Sequence, residues 1–237
     1  MPIEFLIFLT VFTPALVGGL NLIFNKNPNV RDTVTLLGAL ITFYFSANIF
    51  LGFDGQATQY KLATIMPGID ISFHIEPLGI VFSLLASGLW ILTHIYAIGY
   101  MRGAKEKNHS RFFFFFSVSI ASVMGISFSG NLFTLFLFYE ILTLITFPLV
   151  SHKGSNEALR GARVYLSILL GTSIGLQLLG IIWIYFSVGT LDFVKGGILN
   201  GSFGSLELTL LVALFAFGIG KAALFPFHRW LPAAMVA

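Results

Sequence analysis

The sequence predicts an all-α polytopic membrane protein with about seven transmembrane helices, the seventh of them broken. Three observations lead there. Of 237 residues, 57% are hydrophobic and only 10% charged, against roughly half and a quarter in soluble domains. The apolar residues fall in runs of about 20, the length that crosses a hydrocarbon core about 30 Å thick. The last of these runs is interrupted by glycines, a lysine and prolines, in GIGKAALFPFHRWLPAAMVA from Gly218.

Residues 3–24 form the first span. No basic region precedes it and no small-residue cleavage site follows, so it is a retained helix rather than a signal peptide. The turn at 25–32, with Pro28 and three asparagines, ends it, and 33–53 form the second span. Residues 54–76 are polar, and the period-2 pattern at 69–74 predicts a short extramembrane hairpin. Pro77 opens a third span running to Tyr100, a basic loop occupies 101–111, and 112–128 form the fourth span. A short connection, Ser129-Gly130-Asn131, with Ser127, Ser129 and Asn131 as capping residues, leads to the fifth span at 132–150. A second basic connection, 151–163, leads to the sixth at 164–188, and a seventh begins near Leu206. Two regions are expected: 1–110, holding helices 1–3 and the hairpin, and 111–237, holding helices 4–7.

Charge then orients the chain. With the N-terminus outside, inner loops carry Lys26, Arg31, Arg102, Lys105, Lys107, Arg111, Lys153, Arg160, Arg163 and Arg229, and outer loops only Lys61 and Lys195. Ten against two is a strong positive-inside signal. It places residue 237 on the cytoplasmic side of a cell's inner (plasma) membrane. The pI of about 9.2 follows from those loops, and no basic module of the kind that binds nucleic acid is present.

With no cysteine, thiolate metal sites, iron–sulfur clusters and disulfides are excluded. No histidine or carboxylate pair has metal-ligand spacing. Neither metal nor cofactor is therefore expected, and the chain reads as a transporter component rather than an enzyme.

The candidate chemistry lies in two charges. Lys221 falls roughly 20 Å into the seventh run and Glu140 about 14 Å into the fifth, so both sit near mid-membrane. A charge there costs at least about 2.5–3.5 kcal/mol and calls for a partner or a wet cavity. Removal from water disfavours the charged form of either group, while mutual approach favours both; changing their separation therefore moves protons. Gly218, Gly220, Pro226 and Pro232 break the helix around Lys221, and freed backbone at membrane depth survives only where protein or a cavity satisfies it. Around the pair, Tyr139 flanks Glu140, and Thr143 shares its helix face, either holding water or bonding its own helix. His228 lies within the broken segment. His94, in the third span, is either a proton relay or a packing histidine.

The segments AIGYM, HSRFF, SGNLFTLFLFYEILTLITFPLV and GKAALFPFHRWLPAAM resemble the antiporter-like membrane subunits of Mrp-type multi-subunit cation/proton antiporters. Their relatives are the proton-pumping subunits of complex I and membrane-bound hydrogenases, and the D-type member of the Mrp set is the nearest form. The resemblance implies that Glu140 of helix five pairs with Lys221 of a broken helix seven, and that His228, Trp230, Leu231, Pro232, Ala234 and Met235 carry the HxWLPxAM signature. It implies a fourteen-helix inverted-repeat fold, of which this sequence would be the first part, with residues 111–237 an incomplete proton-translocating repeat. Either a fragment or a split subunit completed by another chain is then expected. Where many relatives carry a protonatable lysine at the start of helix six, Arg163 stands here; it keeps its charge and could orient Glu140, but is a poor proton carrier.

The leading reading is a proton or cation/proton translocating subunit of a multi-subunit inner-membrane complex. Its expected partners are other membrane subunits, protons or sodium, and the lipid bilayer, without nucleic acid. The alternatives are a non-transporting membrane scaffold and a proton-pumping subunit of a complex I-like or hydrogenase complex.

Overall fold

The computed structural model describes residues 2–56, 59–199 and 201–235. Among them, six helices are long and apolar enough to cross a membrane: α1 (Ile3–Ile23), α2 (Pro28–Gly52), α3 (Pro77–Gly103), α4 (His109–Ser127), α5 (Leu132–Val150) and α6 (Asn156–Val188). Strands β1 (Gln59–Met66) and β2 (Ile69–His74) form the hairpin between α2 and α3. The seventh apolar segment is α7 (Ser205–Gly218), of 14 residues, followed by short turns and α8 (Trp230–Met235). At 1.5 Å per residue α7 is about 21 Å long, too short to cross unaided.

Helices α2, α4 and α6 start earlier than their apolar runs, and local capping signals mark the starts of α2, α3, α5 and α6. Pro28 and Pro77 sit at the first positions of α2 and α3, where a missing N–H removes nothing. The Ser155 hydroxyl accepts from Ala158 N at 3.0 Å and begins α6, and Asn131 Oδ1 accepts from Thr134 N at 2.7 Å and begins α5. One consequence is that Arg31 and Asp32, expected in a polar turn, lie in the first turns of α2.

The chain divides into two units, residues 1–60 with 73–129, and 61–72 with 130–237. The first holds α1–α4. There α4, which the sequence grouped with the helices after it, packs on α1 and α3 through a buried face of small residues including Ser117, Ala121, Ser122 and Gly125. Such a face lets helix axes approach without a hydrophobic driving force.

The second unit holds α5–α8 and most of the hairpin. Asn131 Nδ2 donates to Asp70 O at 2.8 Å and Ser72 Oγ at 2.9 Å, Ser72 N donates to Thr134 Oγ1 at 3.0 Å, and the Tyr185 hydroxyl donates to Pro67 O at 2.7 Å. The hairpin is thereby tied to the start of α5 and the end of α6. Across it, Lys61 Nζ lies 2.6 Å from Asp70 Oδ2, and this bond holds the Asp70 carboxyl below its usual range. Ile181, Ile184, Leu191 and Leu211 form an apolar core beside it.

Candidate functional site

The site is built on the break after α7. The helix ends at Gly218, Ile219 turns to ψ 69°, a 3-10 turn covers Gly220–Ala222, and Ala223 adopts the left-handed region at φ 52°. Pro226 precedes a second 3-10 turn, Phe227–Arg229. Pro232 falls in the first turn of α8, where it removes no helical bond.

The backbone freed by the break finds partners. Trp230 Nε1 donates to Gly220 O at 2.9 Å, Lys221 N donates to the Tyr139 hydroxyl at 3.2 Å, and Ala222 N donates to Ile219 O at 3.0 Å. Protein groups thereby satisfy the irregular backbone, as a membrane interior would require.

Opposite the break, α6 contains one π turn, Ser173–Gln177, a feature for which the sequence carries no signal. Gly218 and Gly220 press against it. A Cβ on Gly218 would meet Gln177 N at 2.6 Å, and one on Gly220 would run into Thr172 Oγ1. Glycine is required at both positions by this approach.

Lys221 is half-buried, and its ammonium is held by α5. Nζ donates to Tyr139 O at 3.2 Å and to Thr143 Oγ1, and it lies 3.4 Å from the centre of the Tyr139 ring, close enough for a cation–π attraction. Tyr139 therefore binds residue 221 by its hydroxyl, its carbonyl and its ring. Thr143 also donates to Tyr139 O at 2.9 Å, so it bonds its own helix and at the same time accepts from the lysine.

Glu140 lies between these two residues in sequence but does not take the ammonium. None of the ion pairs among the described residues joins it to Lys221; the two groups interact through space. Among the described residues, Glu140 Oε1 is buried with no hydrogen-bond partner, and Ser173 of the π turn lies beside the carboxylate. Close to it, the Tyr165 hydroxyl bonds Thr146 Oγ1, and its ring meets Trp230 edge-on at 5.5 Å. Thus α5, the π turn of α6 and the broken segment converge on one acid and one base.

The other sequence candidates sit differently. His228 is exposed and stacks on Phe225 at 5.7 Å. Arg163 is exposed on α6. His94 is fully buried in the first unit, with Nε2 3.1 Å from Asp32 O. A carbonyl only accepts, so Nε2 carries the proton.

Asp32, which sequence reasoning missed, centres a polar cluster in that unit. Arg31 Nε donates to Asp32 Oδ1 at 2.8 Å, Arg102 Nε donates to Oδ2 at 3.1 Å, and Arg102 Nη2 also donates to Asn29 Oδ1 at 3.0 Å. Arg31 reaches Ser110 at 3.2 Å and lies 5.2 Å from the Phe113 ring centre. Arg31 and Asp32 are 3% and 5% exposed. Among the described residues, no group of three or more histidines, cysteines, aspartates and glutamates could hold a metal ion.

Comparison with known proteins gives this geometry a family. Residues 129–237 match the family model described as NADH:quinone oxidoreductase/Mrp antiporter, transmembrane, and residues 66–113 match that of the N-terminus of chain 5 of NADH-ubiquinone oxidoreductase (complex I). The chain belongs to the antiporter-like membrane subunit family. It is 32% identical over 205 residues to a protein named as antiporter subunit mnhA2 in Staphylococcus haemolyticus, covering 84% of this chain and 25% of that one. It is 30% identical over 246 residues to the chloroplast NAD(P)H-quinone oxidoreductase subunit 5 of Ipomoea purpurea, covering 96% of this chain and 34% of that one. These antiporter-like relatives are of the mnhA2 and subunit 5 types, whereas the motifs point to the D type of the Mrp set. A solved structure of a membrane-bound sulfane sulfur reductase, an archaeal respiratory membrane complex, shares the fold at TM-score 0.81 and 22% identity, covering 97% of this chain and 36% of that one. The chain thus spans between a fifth and about a third of the length of the curated relatives it matches.

Proposed function

We propose that this chain forms one ion-translocating site of a multi-subunit inner-membrane complex, moving protons or exchanging a cation for protons. The supporting observation is a lysine and a glutamate on different helices, both drawn out of bulk water beside a helix break, interacting without an ion pair. A carboxylate oxygen buried without a partner is a strained arrangement unless a proton, a water or the lysine reaches it. The break and the π turn give the lysine backbone a place to shift, and broken helices are where transporters build ion sites. Glu140 and Lys221 exchange the proton, Tyr139 and Thr143 support the lysine, and Arg163, His94 and His228 lie outside this immediate contact set.

On this reading the N-terminus is outside, residue 237 faces the cytoplasm, and other membrane subunits complete the pathway. The test is flux through the assembled complex in sealed vesicles. Glu140→Gln and Lys221→Ala each abolish proton or cation flux while assembly is retained. Normal flux per assembled complex in both variants would remove the proposal.

A further inference from the structure

Lys221 is held by neutral groups one helical turn apart, Tyr139 and Thr143, although the acid on the same helix is within electrostatic reach. The polarity of this cradle is set. Thr143 spends its own hydroxyl proton on Tyr139 O at 2.9 Å, which leaves its oxygen facing the lysine as an acceptor. An ammonium has three donors; Tyr139 O and Thr143 Oγ1 take two, and the Tyr139 ring stands at 3.4 Å. No group in the cradle carries a formal charge, and Thr143 is fully buried.

Resting on the transport reading above, we infer that Thr143 is a positioning residue. Together with Tyr139 it makes an uncharged station for the Lys221 ammonium, separate from the Glu140 carboxylate, and the lysine moves between the two. On a helix of 3.6 residues per turn, Glu140 is rotated from Thr143 by roughly 60°, a distance the four-carbon lysine stem covers by rotamer change. Against the carboxylate the charged lysine is locked by the opposite charge; in the cradle it is bound by neutral acceptors, from which proton release leaves no orphan anion. Thr143 thus keeps the lysine and the acid from settling into a permanent pair. The titratable groups around this position are Tyr139 and Glu140 on α5 and Tyr165 on α6.

Removing the Thr143 acceptor leaves only Tyr139 on the neutral side, by its carbonyl and its ring, and shifts the balance of the lysine toward Glu140. In the assembled complex, Thr143→Val is therefore expected to lower flux about tenfold, the scale of one hydrogen bond to a charged group, and to displace the flux–pH profile to more alkaline pH. Thr143→Ser, which keeps the hydroxyl, restores both rate and profile; Thr143→Ala replaces the valine variant if that one disturbs assembly. Wild-type rate and pH profile in the hydroxyl-free variant, while Glu140→Gln and Lys221→Ala still abolish flux, would overturn this inference alone. Flux surviving Glu140→Gln and Lys221→Ala would instead overturn the transport reading on which it rests.

Discussion

The two units each bury charge, and they treat it in opposite ways. In the first, Asp32 is enclosed by Arg31 and Arg102, both arginines reach further polar partners, and the cluster joins the ends of α2, α3 and α4 through Asn29 and Ser110. In the second, among the described residues, Glu140 leaves a buried oxygen unpartnered and Lys221 hydrogen-bonds uncharged groups. A charge network closed on itself fixes the helices that supply it. A buried acid and base left apart, beside a helix that is already broken, have somewhere to move. On the proposed reading, the contrast separates charges that hold the structure from charges available for transport.

The comparison can be strained at its closed end first. Asp32→Ala leaves Arg31 buried without its counter-ion, and losing one partner of a buried pair costs about 3–5 kcal/mol. Thermal or denaturant unfolding of the purified complex measures this, with flux per surviving complex unchanged. Gly220→Ala acts on the open end by steric means, because the added methyl meets Thr172 Oγ1 on α6. Overpacking of this kind costs about 1–3 kcal/mol, and on the proposed reading, in which the break shifts, it shows as lower stability together with slower transport.

The smallest effect is at the surface. The Lys61 hydrogen bond keeps the Asp70 carboxyl below the ordinary aspartate range. The folded value being depressed, its contribution to the hairpin is complete above the ordinary value and is lost as pH falls through the depressed one. Hydrogen exchange of the hairpin amides should quicken over that acid range, and Asp70→Asn should remove the pH dependence.

Much of the architecture is legible in the sequence because it follows from local signals. Apolar runs mark the spans, alternation at 69–74 marks β2, Asn131 caps α5, and Gly218, Gly220 and Pro226 mark the break. The pairing of Asp32 with Arg102 is not legible, because the two are 70 residues apart and a helix cap has to carry Asp32 out of the turn where hydropathy leaves it. The grouping of α4 with α1 likewise depends on small buried residues that an apolar count does not distinguish. At the site, depth alone marks the acid and the base as candidates for a pair. It does not reveal that the nearest acceptors of Lys221 are a main-chain carbonyl and a threonine, since those contacts depend on how the broken segment turns after Ile219.

The most direct measurement sets the two units against each other: proton flux per assembled complex and the unfolding midpoint, recorded on the same preparations of Lys221→Ala and Asp32→Ala. The account predicts that the lysine variant keeps its midpoint and loses flux by about 100-fold or more, the contribution of a positioned proton-transfer group, whereas the aspartate variant loses midpoint and keeps flux. A lysine variant that unfolds early while its remaining complexes transport at the normal rate would contradict it.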